Sequence, residues 1–197
     1  LTPEATATEL FDIQPEDIPA QNISPELPDA AGGGSLGENF LTWLWFFQEE
    51  RGGVLPPTKL GEFSLLLDGP LQFVAEGGGA LQSNVSKGMP TISAEAKAAL
   101  LVGKKLRRAK LVIARGKGEE WSVTVDANEF VFKSLRLPEG EAMDPISVFE
   151  ERMTNLYVFQ SVFFALFQRF LKELSDPEKA ADYQRKAKQW VSEREGR

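Results

Sequence analysis

Apolar residues first recur at helical spacing at Phe40, Trp43, Leu44 and Phe47, the i, i+3, i+4, i+7 pattern of one helix face. The helix predicted over Glu38–Arg51 also carries Trp45 and Phe46 off that face. It is therefore either buried on two sides or presents rings to a partner, and aromatic stripes more often fill cores. The period then changes. Gly61–Leu67 reads as a strand, Asp68-Gly69-Pro70 as a turn, and Leu71–Ala75 as the returning arm of a hairpin. Gly77-Gly78-Gly79 ends it, and a third strand is predicted over Ala80–Val85. Ser93 is placed to cap a short helix, Ala94–Leu101, with Glu95 in its first turn and Gly103 at its C-terminal end.

Alternation is clearest in the next segment. Ala109, Leu111 and Ile113 share one face of a strand predicted over Lys105–Arg115. Trp121, Val123 and Val125 form the apolar face of the next strand, and Phe130–Phe132 carries a third toward Pro138. The connections at Gly116–Glu119 and Asp126–Asn128 are too short for crossovers, so these strands form an antiparallel meander. Asp144-Pro145 opens the longest helix, which ends at Asp176-Pro177. Phe149, Met153, Leu156, Gln160, Phe163, Phe167, Phe170 and Leu174 form one stripe on it. Val158, Phe159, Val162 and Leu166 populate the opposite side, as expected of a helix buried on several sides. A final amphipathic helix, Pro177 to about Glu193, has only the thin stripe Ala180, Tyr183, Ala187 and Trp190 and is expected to be peripheral. The fold class predicted is α+β: antiparallel sheet segments with an aromatic N-terminal helix and a long apolar C-terminal helix.

Residues 1–37 read differently. Thr2-Pro3-Glu4 signals the start of a short helix ending near Phe11. Pro15, Pro19, Pro25, Pro28 and Gly32–Gly34 then punctuate an acidic linker, and the first cation of the chain is Arg51. The organisation expected is an acidic helix and linker over 1–37, an α+β domain over 38–176, and the peripheral helix over 177–197.

With 197 residues, 42% of them hydrophobic, the chain can build one substantial core. No uncharged apolar stretch reaches the length of a membrane-spanning helix. Cys and His are both absent. That removes disulfides, thiolate nucleophiles, Cys- or His-ligated metals and the commonest general base. Neither glycine cluster is followed by Lys-Ser/Thr, so neither is a phosphate-binding P-loop. Asp12, Glu16 and Asp17, and likewise Asp126 and Glu129, are acids beside turns or in the linker and read as solvated loops rather than metal sites. No catalytic residue, metal or cofactor is expected.

One charge feature stands out against an acidic background. Lys104, Lys105, Arg107, Arg108, Lys110, Arg115 and Lys117 place seven cations and no acid within fourteen residues, in a chain of net charge −7. Such a strip suits phosphate contacts, which come from Lys and Arg and need no base-specific side chain. The plainer alternative is the solvated face of a strand.

Three blocks in order resemble the C-terminal half of the recombination-associated protein RdgC family. They are Phe40-Leu41-Thr42-Trp43-Leu44-Trp45, then Gly61–Leu67 running on to Gly78-Gly79, and then Ala98 to Lys104 with Lys110-Leu111-x-Ile113, Trp121–Asp126 and Leu135-x-Leu137-Pro138. A long apolar helix follows, as in that family, and the match spans roughly residues 38–175. The resemblance implies a non-enzymatic, sequence-nonspecific double-stranded DNA-binding protein of the bacterial cytoplasm and nucleoid. It implies a homodimer closed into a ring with a basic hole, restraining recombination driven by a recombinase. After Gly79 only Lys87 remains where family members can carry adjacent basic residues. DNA contacts are therefore expected at Lys104, Lys105, Arg107, Arg108, Lys110, Arg115 and Lys117, with Lys87 as an outlier. The family's N-terminal half is not in this chain, which is accordingly expected to belong to a longer protein. The dimer implied by the resemblance is assigned to Phe159, Val162 and Leu166, the second apolar side of the long helix; the helix Phe40–Phe47 is the alternative cover for that side. A structural or protein-interaction module without DNA contact is the competing function.

Overall fold

The computed structural model describes residues 35–75, 83–85 and 94–192. In chain order these form α1 (Leu36–Glu50), β1 (Phe63–Val74), β2 (Ser83–Val85), α2 (Ala94–Leu101), β3 (Lys105–Arg115), β4 (Glu119–Asp126), β5 (Val131–Arg136), α3 (Pro145–Ser175) and α4 (Pro177–Ser192). The strands make one antiparallel sheet in the order β2-β1-β3-β4-β5, and the fold is α+β. Among the described residues no helix is long and apolar enough to cross a membrane. The expectations placed on residues 1–34, on Gly77–Gly79, on Lys87 and on the Ser93 cap lie outside the described residues.

α1 starts at a reciprocal capping box: Glu38 N–H donates to Ser35 Oγ, and Ser35 N–H donates to Glu38 Oε2. Its aromatic residues point in several directions because the helix is central. Trp45 meets Phe73 of the sheet and Trp190 of α4. Phe46 meets Tyr183 of α4, and Phe40 meets Phe163, Phe167 and Phe170 of α3. Trp45 and Phe46 are thus buried within the chain rather than offered to a partner. Gly37 allows this close approach, since a Cβ there would stand 2.1 Å from the Ala127 carbonyl oxygen.

β3 lies at the middle of the sheet. Ala109, Leu111 and Ile113 face the helices, flanked in register by Leu67 and Leu65 on β1 and by Val125, Val123 and Trp121 on β4. The hairpin expected at Asp68-Gly69-Pro70 does not form. β1 runs straight through these residues, pairing with β3 at Asp68↔Lys110 and again at Gln72↔Arg108, and the register shift between the two pairs absorbs Gly69 and Pro70. The ladder with β3 outweighs the turn chemistry, and a proline with no N–H to give is tolerated at such an irregularity.

α4 is less peripheral than its thin stripe suggests. Trp190 is buried, and its indole N–H donates to Glu49 Oε2 at 2.5 Å. Glu49 Oε1 accepts from Trp45 Nε1 at 2.8 Å, and Lys97 Nζ of α2 lies 3.3 Å from Oε2. One carboxylate of α1 therefore ties down both α2 and α4.

α3 is capped by Asp144, which accepts from the Ile146 and Ser147 N–H groups, with Pro145 at its first position. Its 31 residues span about 46 Å at ~1.5 Å per residue. The half from Val158 to Leu174 is largely buried and the first half is not. Phe159, Val162 and Leu166, assigned from sequence to a dimer face, are 3%, 0% and 0% exposed. Phe159 packs on Phe132 and Phe163. The chain covers this side of α3 by itself, so these residues do not form a surface between subunits. Of the stripe from Phe149 to Leu174, Phe149, Met153, Leu156 and Gln160 are exposed, and Phe163, Phe170 and Leu174 are buried.

Candidate nucleic-acid interface

Alternation along β3 divides the seven cations that the sequence places in one strip. Arg108 and Lys110 flank the inward-facing Ala109, so they project from the outer face of the sheet, away from the helices. Arg115 is the register partner of buried Phe63 and lies on the helix side. Its guanidinium stands 5.8 Å and 5.7 Å from the Phe63 and Trp121 ring centres and binds Glu119 at 2.6 Å. Arg115 closes the rim of the core rather than facing a ligand. Arg107 is the extra residue of a bulge, between the pairs Gln72↔Arg108 and Phe73↔Leu106. Lys105 is buried, Lys104 half-buried, and Lys117 exposed in the Gly116–Gly118 turn. At ~3.3 Å per residue Lys105 and Lys117 stand roughly 35–40 Å apart. A single seven-cation surface is therefore not what forms, because successive strand residues face opposite ways. Lys87 lies outside the described residues.

The outer face carries its own charge ladder. Lys110 Nζ lies 3.0 Å from Asp68 Oδ2, its register partner on β1. Arg108 Nη2 lies 2.5 Å from Asp126 Oδ2, its register partner on β4, and Lys133 Nζ of β5 lies 3.1 Å from the same oxygen. Arg136 is the register partner of Ser122 and is exposed. The cations gathered here are thus Arg108, Lys110, Lys133 and Arg136. The last two escape a search for charge runs, because they lie on another strand. Their signal was the alternation itself: once Phe132 faces Phe159 and Phe163, Lys133 must face outward.

The acids of this ladder are tightly held. A hydrogen bond from Lys110 keeps Asp68 below the usual carboxylate range against partial desolvation. For Asp126, burial opposes ionisation, but the hydrogen bonds from Arg108 and Lys133 outweigh it and lower its pKa. Asp126 Oδ1 and Arg108 Nε remain buried without a hydrogen-bond partner. A depressed carboxyl pKa contributes stability that is complete above the unfolded value of roughly 4 and is lost as pH falls through the folded value. Asp126→Asn should therefore cost about 1–3 kcal/mol at pH 7. The difference from wild type should narrow in urea unfolding below a pH of about 4. An unchanged difference at acid pH would show that Asp126 acts through packing instead.

Among the described residues no group of three or more acids is placed to hold a metal ion, and Asp126 is already shared by two cations. No family model, curated protein or solved structure matches the chain.

Proposed function

We propose that the chain binds double-stranded DNA without sequence preference and without catalysis, and that the outer face of the sheet makes the contact. The carrying observation is that Arg108, Lys110, Lys133 and Arg136 lie on one sheet face within three adjacent strands. Neighbouring strands are ~4.8 Å apart, so the cluster is compact enough to meet consecutive phosphates. Phosphate contact from Lys and Arg needs no base-reading side chain. Asp68 and Asp126 hold three of these cations in the free protein. Binding means exchanging internal carboxylates for phosphates, which keeps affinity modest and salt-sensitive. The RdgC resemblance supplies the setting: a homodimer on duplex DNA, opposing a recombinase, in the cytoplasm and nucleoid.

One observation favours the competing reading, a structural or protein-interaction module without DNA contact. Arg108, Lys110 and Arg115 each have a carboxylate partner inside the chain. Fluorescence anisotropy with two unrelated duplexes separates the two. Equal binding of both at low salt, with the DNA left intact in the presence of Mg²⁺, supports the DNA reading. No binding of either favours the module.

A further inference from the structure

Four cations of the sheet, Arg108, Lys110, Arg115 and Lys133, each meet a carboxylate of the chain itself. Arg136 and Arg152 meet none among the described residues. Both line one cleft of about 800 Å³, formed by the end of β5, the loop that follows it and the first half of α3. Leu135, Leu137, Pro138 and Val148 give that cleft apolar walls. Of its two acids, Glu151 accepts from the Ala142 N–H at 3.3 Å, and Glu139 is exposed. Two unpaired guanidiniums beside apolar walls suit carboxylates carried on a segment that also bears apolar side chains.

We propose that the chain's own acidic segment docks in this cleft, with Asp12, Glu16 and Asp17 on Arg136 and Arg152 and with Ile13 and Ile18 on the apolar walls. Three features select this occupant. The first is charge. All 22 Lys and Arg follow residue 34 and seven of the 29 acids precede it, so residues 35–197 are neutral as a whole and residues 1–34 carry the entire net charge of −7. The second is the point of attachment. Gly37 stands against Ala127 and Phe130, and β5, the strand that leads to the cleft, begins at Val131. The third is reach. From Phe130 to Arg136 is about 20 Å at ~3.3 Å per residue, whereas the chain from Asp17 to Ser35 can span up to about 60 Å. Tethering makes the contact intramolecular, so a few exposed ion pairs suffice. Arg136 also lies on the outer sheet face, so duplex bound there has to displace the segment from it. The docking itself rests on the cleft and the charge distribution and not on the DNA reading, so either can fail while the other stands.

Because the chain has no cysteine, disulfide closure in the full chain tests it, with no nucleic acid present. Gln14→Cys keeps all three acids of the segment. Combined with Ala142→Cys in the cleft, it should close under mild oxidation at a rate independent of protein concentration. Combined instead with Ser64→Cys, exposed on the outer face of β1, it should close more slowly. The expected preference is on the order of 10-fold, the factor that two or three exposed ion pairs supply. It should shrink at a salt concentration of about 1 M, where charges are screened beyond ~3 Å. Arg136→Gln with Arg152→Gln, both at exposed positions, should remove most of the preference and leave thermal unfolding unchanged. Equal closure rates for the two cysteine pairs, a preference that survives in the folded Arg136→Gln, Arg152→Gln protein, or disulfides that form mainly between chains would each overturn the proposal.

Discussion

Replacing Phe40 by Ala is expected to lower the stability of the domain by about 3–5 kcal/mol, the range for deleting a fully buried aromatic ring. Phe40 is 0% exposed and lies 5.2–6.1 Å, centre to centre, from Trp43, Phe130, Phe163, Phe167 and Phe170. These rings come from α1, the β4–β5 turn and α3, so the cavity would open where three elements meet and none can close it alone. Against a total stability of about 5–15 kcal/mol, the loss is a large fraction, with a fall in Tm of roughly 10 °C or more. Urea and thermal unfolding measure it. Phe149→Ala, at an exposed position of α3, is the control and should stay within about 0.5 kcal/mol of wild type. A Phe40→Ala cost no larger than the control would show that the aromatic cluster is not the organising core.

The second large effect concerns the outer sheet face. Lys110→Glu combined with Lys133→Glu should weaken duplex binding on the order of 100-fold at low salt, from the loss of about 3 kcal/mol over two charge-assisted contacts. The pair is chosen so that the fold survives. Asp68, freed by the first change, is half-exposed, and Asp126, freed by the second, keeps Arg108. Arg108 itself is a poor choice, because its loss would leave Asp126 buried beside Lys133 alone. The loss should be the same for unrelated sequences, as expected of phosphate rather than base contacts. An undiminished affinity in the folded double variant would remove the outer face as the contact surface.

Much of the fold was legible because strong period and strong boundary signals coincided. β3 and α3 match their predicted spans at Lys105–Arg115 and at Asp144-Pro145 to Asp176-Pro177. There, alternation or a capped and proline-bounded helix left little choice. The capping box at Ser35 and Glu38 was equally present in the sequence, and it places the first helical residue, Leu36, two residues ahead of the predicted Glu38. The hairpin at Asp68-Gly69-Pro70 misled because turn residues report local preference, whereas pairing with β3 is decided forty residues away. The candidate site was half legible. A run of cations gives composition but not facing, and the bulge at Arg107 shifts the facing mid-strand. The acid partners, Asp68 on β1 and Asp126 on β4, become neighbours of the run only through strand order. The apolar stripe of α3 has one continuous period, and only the length of the body it packs against decides where burial stops.

The measurement that bears most directly on the DNA reading is the salt dependence of duplex binding by the full chain, plotted as log affinity against log salt. Four phosphate contacts from Arg108, Lys110, Lys133 and Arg136 correspond to a slope of about −3.6, and the Lys110→Glu, Lys133→Glu variant to about −1.8. A wild-type slope near zero, equal slopes for the two proteins, or no binding at low salt would contradict the assignment of this sheet face to DNA.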